Sequence, residues 1–227
     1  MNKHIPALAA MMLTFALFAA LLGNFYQSPQ SSFAEETEKV IYLTFDDGPS
    51  DKVTPKILDV LKNENVPATF FIVGRQAEKR KNILKRAHDE GHTLAIHSYS
   101  HDYKEIYKST YALLGDIEKC NDIICSVTGE YSHVYRFPGG SFTVAPEKIK
   151  AVTANGYKFV DWNASFRDSE LKDPTAGKLY TAAISTVSNP RRIVMLAHDT
   201  TDKTETVEAL KEVIRHFKAQ GYKFKKF

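Results

Sequence analysis

Two aspartates stand side by side in Thr44-Phe45-Asp46-Asp47-Gly48-Pro49, and two histidines bracket His97-Ser98-Tyr99-Ser100-His101. Adjacent carboxylates repel each other and sit together most easily beside a cation or an arginine. Gly48-Pro49 turns the chain sharply behind them and fixes both acids at one place. Alone, Asp46-Asp47-Gly48 would more often be a solvated Asx turn. The histidines change that balance. An i, i+4 pair puts both imidazoles on one face of a helical turn, within reach of a shared ion. Two imidazoles and one carboxylate are the donor set of a three-ligand catalytic zinc site, with a fourth position open to water.

Such groups need a scaffold that holds them at one rim. From Val40 onward, short β-rich runs alternate with helical patterns. Strands are expected at Val40–Phe45, Ala68–Gly74, His92–His97, His133–Arg136, Tyr157–Trp162, Ile193–His198 and Tyr222–Phe227. Between them, Thr54 caps a helix opened by Pro55, and Asp173-Pro174 opens the next-to-last helix. Thr204 starts the last one, whose Val207, Leu210, Ile214 and Phe217 form one apolar stripe before Gly221. The longest helical stretch runs from Lys108 to Val127.

Repeated strand–helix alternation implies parallel strands with helices packed outside. The expected fold is therefore α/β, a distorted or incomplete (β/α) barrel of about seven parallel strands, with a doubly wound open sheet as the alternative. Chemistry in such folds gathers at the C-terminal ends of the strands. Asp46 and Asp47 follow strand one, His97 and His101 strand three, and Arg136 ends strand four. Asp161 and Asp168 surround the end of strand five, while His198 and Asp199 end strand six. By contrast, His88, His133 and His216 fall at strand starts or within helices.

Composition bounds the rest. With 227 residues, 43% hydrophobic, the chain suits one domain with a proper core. A net charge of only +3 argues against a nucleic-acid partner. Lys3 and His4 precede an apolar run from Ile5 to Gly23, then a polar stretch and Ser32-Phe33-Ala34. This reads as a secretory signal cut after Ala34, or as an uncleaved signal-anchor, since 18 or more apolar residues can span a bilayer. Residues 1–34 are thus a leader or anchor with a short polar linker, and residues 35–227 one catalytic domain, secreted or at the cell surface. Cys120 and Cys125 lie in one helix about 140° apart around its axis, so their side chains diverge. Both are expected as core or half-buried thiols rather than a disulfide.

Thr44–Pro49, His97–His101, Arg136-Phe137-Pro138-Gly139-Gly140 and Ile193–Asp199 resemble, in order and spacing, the motifs of carbohydrate esterase family 4, the NodB-homology polysaccharide deacetylases. Val66–Gly74 and Gly91-His92 are also similar to family sequence, so the resemblance covers residues 40–227. It implies Asp46 as catalytic base, with Arg136 orienting it. It implies Asp47, His97 and His101 as ligands of one divalent ion, zinc by donor type, which cobalt, nickel or iron could replace. Gly139 matches the backbone N–H that meets the oxyanion, His198 the general acid, and Leu196 the wall around the acetyl methyl.

Two departures stand out. Gly139 occupies a position where the family often has tyrosine, so only a side chain is lost. The fourth motif normally ends Asp-Trp, whereas here Asp168-Ser169 stands at the matching distance beyond Trp162. Asp168 is the expected carboxylate partner of His198, with Asp161 as the other candidate. The activity implied is removal of N-acetyl groups from N-acetylglucosamine units of an extracellular glycan, peptidoglycan or a chitin-like chain, by a monomer. An O-acetyl-xylan esterase and a catalytically inactive carbohydrate-binding module are the alternatives.

Overall fold

In the computed structural model, residues 38–227 are described; the leader or anchor expected over residues 1–34 lies outside them. The central strand is β1 (Val40–Asp46), whose Ile41, Leu43 and Phe45 are buried. It pairs with β7 (Arg192–His198) along its whole length on one side. On the other side β2 (Thr69–Val73) takes its C-terminal half and β8 (Lys223–Lys225) its N-terminal half. β3 (Thr93–Ser98), β4 (Val134–Tyr135) and β5 (Lys158–Phe159) extend the sheet beyond β2, and β6 (Ala164–Ser165) extends it beyond β7. Every pairing is parallel. The result is a curled, incomplete barrel, with seven strands on the main path and β8 set beside β1. Strand β2 is buried throughout, as expected of a parallel strand covered on both faces.

The expected strand Tyr157–Trp162 shortens to β5, and a second short strand, β6, follows beyond its expected end. The chain pairs with β4 only as far as Phe159, then crosses to β7 at Ala164. Among the described residues β5 and β6 do not pair with each other. Residues 160–163 span that seam, which places Asp161 and Trp162 beside the rim.

Helices cover the outside in order: α1 (Thr54–Glu64), α2 (Gly74–Ala77), α3 (Lys81–Asp89), α4 (Tyr103–Ile106), α5 (Thr110–Thr128), α6 (Pro146–Ala154), α7 (Ala176–Ser185) and α8 (Thr204–Ala219). The stripe of α8 is buried as its spacing requires: Val207, Leu210, Val213, Ile214 and Phe217 all face inward. Each such side chain contributes about 1.5–3 kcal/mol relative to exposure. In α5, Leu113, Ile117, Cys120 and Ile124 do the same, and both cysteines are free.

Two helix starts differ from expectation. Thr54 is the first residue of α1 and caps nothing; its hydroxyl donates instead to Asp199 Oδ2 at 2.6 Å. Helix α7 starts after Thr175, whose Oγ1 accepts from Lys178 N, rather than at Asp173-Pro174.

Candidate metal centre and active-site cleft

The C-terminal ends of β1, β3 and β7 bring the first polar groups together. Asp46 and His198 are register partners across β1 and β7. Asp46 is buried, and its Oδ1 accepts from Arg136 Nη1 at 2.8 Å. Asp47 takes a left-handed backbone, φ 75°, a conformation that aspartate tolerates better than most residues. That single turn points the two carboxylates apart: Asp46 toward Arg136, Asp47 toward the histidines. Gly48 is required because a Cβ there would overlap the Asp199 carboxylate.

His97 and His101 do meet, though not on a helical turn as their spacing suggested. His97 lies in β3, and His101 lies three residues past its end with φ 54°. The intervening turn is folded by Asp116 of α5. Its carboxylate accepts from Ser98 Oγ at 2.5 Å, Tyr99 N at 2.7 Å and Ser100 N at 3.0 Å. Ser98 Oγ then accepts from His101 N at 2.8 Å. Asp116 escaped the sequence reading because it is a helical acid distant in sequence from the turn that it organises.

Candidate donor atoms of Asp47, His97 and His101 all lie within 4.8 Å of one another. Asp47 Oδ1 stands 3.0 Å from His101 Nε2 and 3.4 Å from His97 Nε2. His97 Nδ1 is 2.9 Å from the carbonyl of Arg136, which can only accept. The proton therefore sits on Nδ1, and the Nε2 lone pair faces Asp47, the arrangement typical of a metal-binding imidazole. Burial opposes charge on Asp47, yet the His101 and His97 imidazoles beside it hold its carboxyl far below the usual range. Asp47 Oδ1 is nonetheless buried without a hydrogen-bond partner. A buried, partnerless carboxylate oxygen facing two imidazole nitrogens fits a divalent cation.

Arg136 is wholly buried (0% exposed). Besides Asp46, it donates to Thr44 Oγ1 at 2.8 Å and to the Val160 carbonyl at 2.9 Å, with its guanidinium 4.0 Å above the Phe71 ring. Burial lowers its pKa and the charge of Asp46 works against that. A buried charge persists only when paired and hydrogen-bonded in this way.

On the other side of Asp46, His198 Nδ1 lies 2.7 Å from Asp168 Oδ1. Asp168 Oδ2 accepts from the His198 backbone N and from Thr206 Oγ1, both at 2.8 Å. Burial disfavours the imidazolium, but Asp168, assisted by Asp46 and Asp47, outweighs it and raises the His198 pKa to about 9. Asp161, the other candidate partner, faces elsewhere. It accepts from Ser141 N at 2.9 Å and from Ser141 Oγ, holding the loop in which Gly139 and Gly140 take φ 79° and 82°. Leu196 is buried two residues before His198, on the same face of β7.

Asp199, next to His198, is fully buried, and burial pushes its carboxyl up to about 7 against the Thr54 hydrogen bond. A hollow of about 360 Å³ adjoins Asp47 and His101, lined also by Val73, Arg75, Gln76, Ser100 and Thr200. A larger one of about 450 Å³, beside Leu61 and His92, touches none of these groups.

A parallel α/β barrel with such a rim defines a hydrolase-like site, and comparison with known proteins identifies its family. The polysaccharide deacetylase family model matches residues 34–160. The peptidoglycan-N-acetylmuramic acid deacetylase PdaA of Bacillus subtilis is 33% identical over 189 residues, covering 83% of this chain and 70% of that protein. A CE4 esterase of Streptococcus mutans superposes with a TM-score of 0.77 at 36% identity, covering 82% of this chain and 85% of that one. The catalytic domain of a peptidoglycan N-acetylglucosamine deacetylase from Eubacterium rectale gives 0.77 at 38% identity, covering 83% and 88%. This chain belongs to the polysaccharide deacetylase family. It spans about two thirds of the length of the curated relatives that head the comparison.

Proposed function

We propose that the chain is a divalent-metal-dependent hydrolase that removes N-acetyl groups from N-acetylglucosamine units of a cell-wall glycan outside the cell. Peptidoglycan is the first candidate substrate and a chitin-like oligomer the second. The observation that carries this reading is the partnerless Asp47 Oδ1 between two imidazoles, set beside an Asp46–Arg136 pair and a His198–Asp168 pair.

Asp47, His97 and His101 hold the ion, which is zinc on this reading. Bound there, it supplies Lewis acidity toward the acetyl carbonyl and toward water. Arg136 holds Asp46 by Oδ1, leaving Oδ2 to take the proton of the attacking water. The Gly139 N–H meets the negative charge that develops on the carbonyl oxygen, an interaction worth about 3 kcal/mol. Leu196 packs against the acetyl methyl. His198, with Nδ1 engaged by Asp168, delivers its Nε2 proton to the departing amine, a poor leaving group without it. Residues 35–227 form the catalytic domain, preceded by a leader or anchor.

Acetate release by the zinc-loaded chain from peptidoglycan, chitin oligomers and acetyl-xylan tests the reading. Release is expected from the first two and lost on chelation. Asp46→Asn should silence turnover with the ion retained, and Asp47→Asn should strip the ion. If Asp46→Asn strips it and Asp47→Asn keeps it, the two carboxylates are reversed.

A further inference from the structure

We infer that Tyr103 is a further substrate-contacting residue, its phenol donating a hydrogen bond to the acetylated sugar where Gly139 offers only bare backbone. The inference rests on the deacetylase reading. Asp102 caps α4, accepting from Lys104 N at 3.0 Å and Glu105 N at 3.4 Å. This start sets Tyr103 edge-on to His101, ring centroids 5.5 Å apart, and edge-on to Tyr107 at 6.0 Å. Across the cleft, a Cβ on Gly139 would lie 3.2 Å from both Cε1 and Oη of Tyr103. Tyr103 thus bridges a candidate ligand and the loop that presents the Gly139 N–H. It fills the space that a side chain at position 139 would need.

The neighbouring phenol is already engaged: Tyr107 Oη donates to the Pro138 carbonyl at 2.8 Å and holds the same loop. Tyr103 Oη has no hydrogen-bond partner among the described residues, and the residue is 49% exposed. Its ring is packed while its hydroxyl is free, so little side-chain freedom remains to be lost when a ligand arrives. A tyrosine combines an apolar face with a neutral donor, which suits a sugar ring bearing an acetamido oxygen and hydroxyls.

The test uses the full zinc-loaded chain with N-acetylglucosamine oligomers. Tyr103→Phe keeps the ring and removes only the hydroxyl. It should lower kcat/KM about tenfold, the size of one hydrogen bond near 1.4 kcal/mol, with zinc content and melting temperature unchanged. Wild-type kinetics in Tyr103→Phe overturn the inference. So does a loss accompanied by loss of zinc, which marks a contact that merely packs His101. Oligomer binding to the Asp46→Asn chain reads the contact without turnover. If the wild-type chain binds the oligomer without releasing acetate, the deacetylase reading fails. Weaker binding on adding Tyr103→Phe still upholds the contact, and unchanged binding overturns it. If the oligomer neither binds nor reacts, both fail.

Discussion

Asp46 and Asp47 are neighbours in sequence with different partners, because one left-handed residue at φ 75° separates the directions of their carboxylates. The repulsion legible in Asp46-Asp47 is met on one side by Arg136 and on the other by two imidazoles. The histidine partner was less legible. Asp161 and Asp168 flank the end of the fifth expected strand, and spacing from Trp162 favoured Asp168, the residue that touches His198. A prediction follows from its pKa. His198 is raised to about 9, so its acid form is present below that value and is lost as pH rises through it. Asp168→Asn removes the main raising partner. The alkaline limb of kcat/KM should then move to lower pH and kcat should fall, with metal content unchanged. A limb that stays in place in Asp168→Asn and moves in Asp161→Asn would assign the acid's partner to Asp161.

Among the elements, the long ones could be read from their period. The α8 stripe and the buried β1 and β7 carry enough apolar positions to betray their spacing. Two-residue strands do not. β5 and β6 hold too few residues to show alternation, and the switch between pairing partners at residues 160–163 leaves no local mark. The turn after β3 is similar: its i, i+4 histidines suggested a helix, but the convergence of Ser98, Tyr99 and Ser100 on Asp116 builds a turn instead. Groups that orient a ligand from behind typically change metal affinity 10- to 100-fold when removed. Asp116→Ala should therefore weaken zinc binding by at least about tenfold. Competition with a chromogenic chelator measures this, and an unchanged affinity would show that the turn holds without its carboxylate.

Across the whole molecule, the polar groups of the rim lie against a core that tolerates little unpaired charge. Asp199 is the clearest case, fully buried with Oδ1 unpartnered. Its folded pKa, about 7, stands above the ordinary 3.8. A carboxyl raised in this way adds stability that is fully present below 3.8 and lost as pH rises toward about 7. In metal-free protein, the melting temperature should fall over that window, and Asp199→Asn should flatten the fall. Equal slopes in both chains would mean that Asp199 ionises without cost.

The strand directions have a consequence for how the molecule can be held. Residue 38 enters at the start of β1, and β8 pairs beside that start. Phe227 stacks on Tyr42 at 4.4 Å, with its carbonyl accepting from Thr93 Oγ1 at 2.7 Å. The described chain therefore begins at the foot of β1 and ends at the first residues of β2 and β3. Asp46 and His198 sit at the top, about 20 Å along β1 from Val40 at the usual rise per strand residue. A linker, affinity tag or solid support joined ahead of β1 meets the foot of the barrel and leaves the cleft turned outward, toward a polymer approaching from solution.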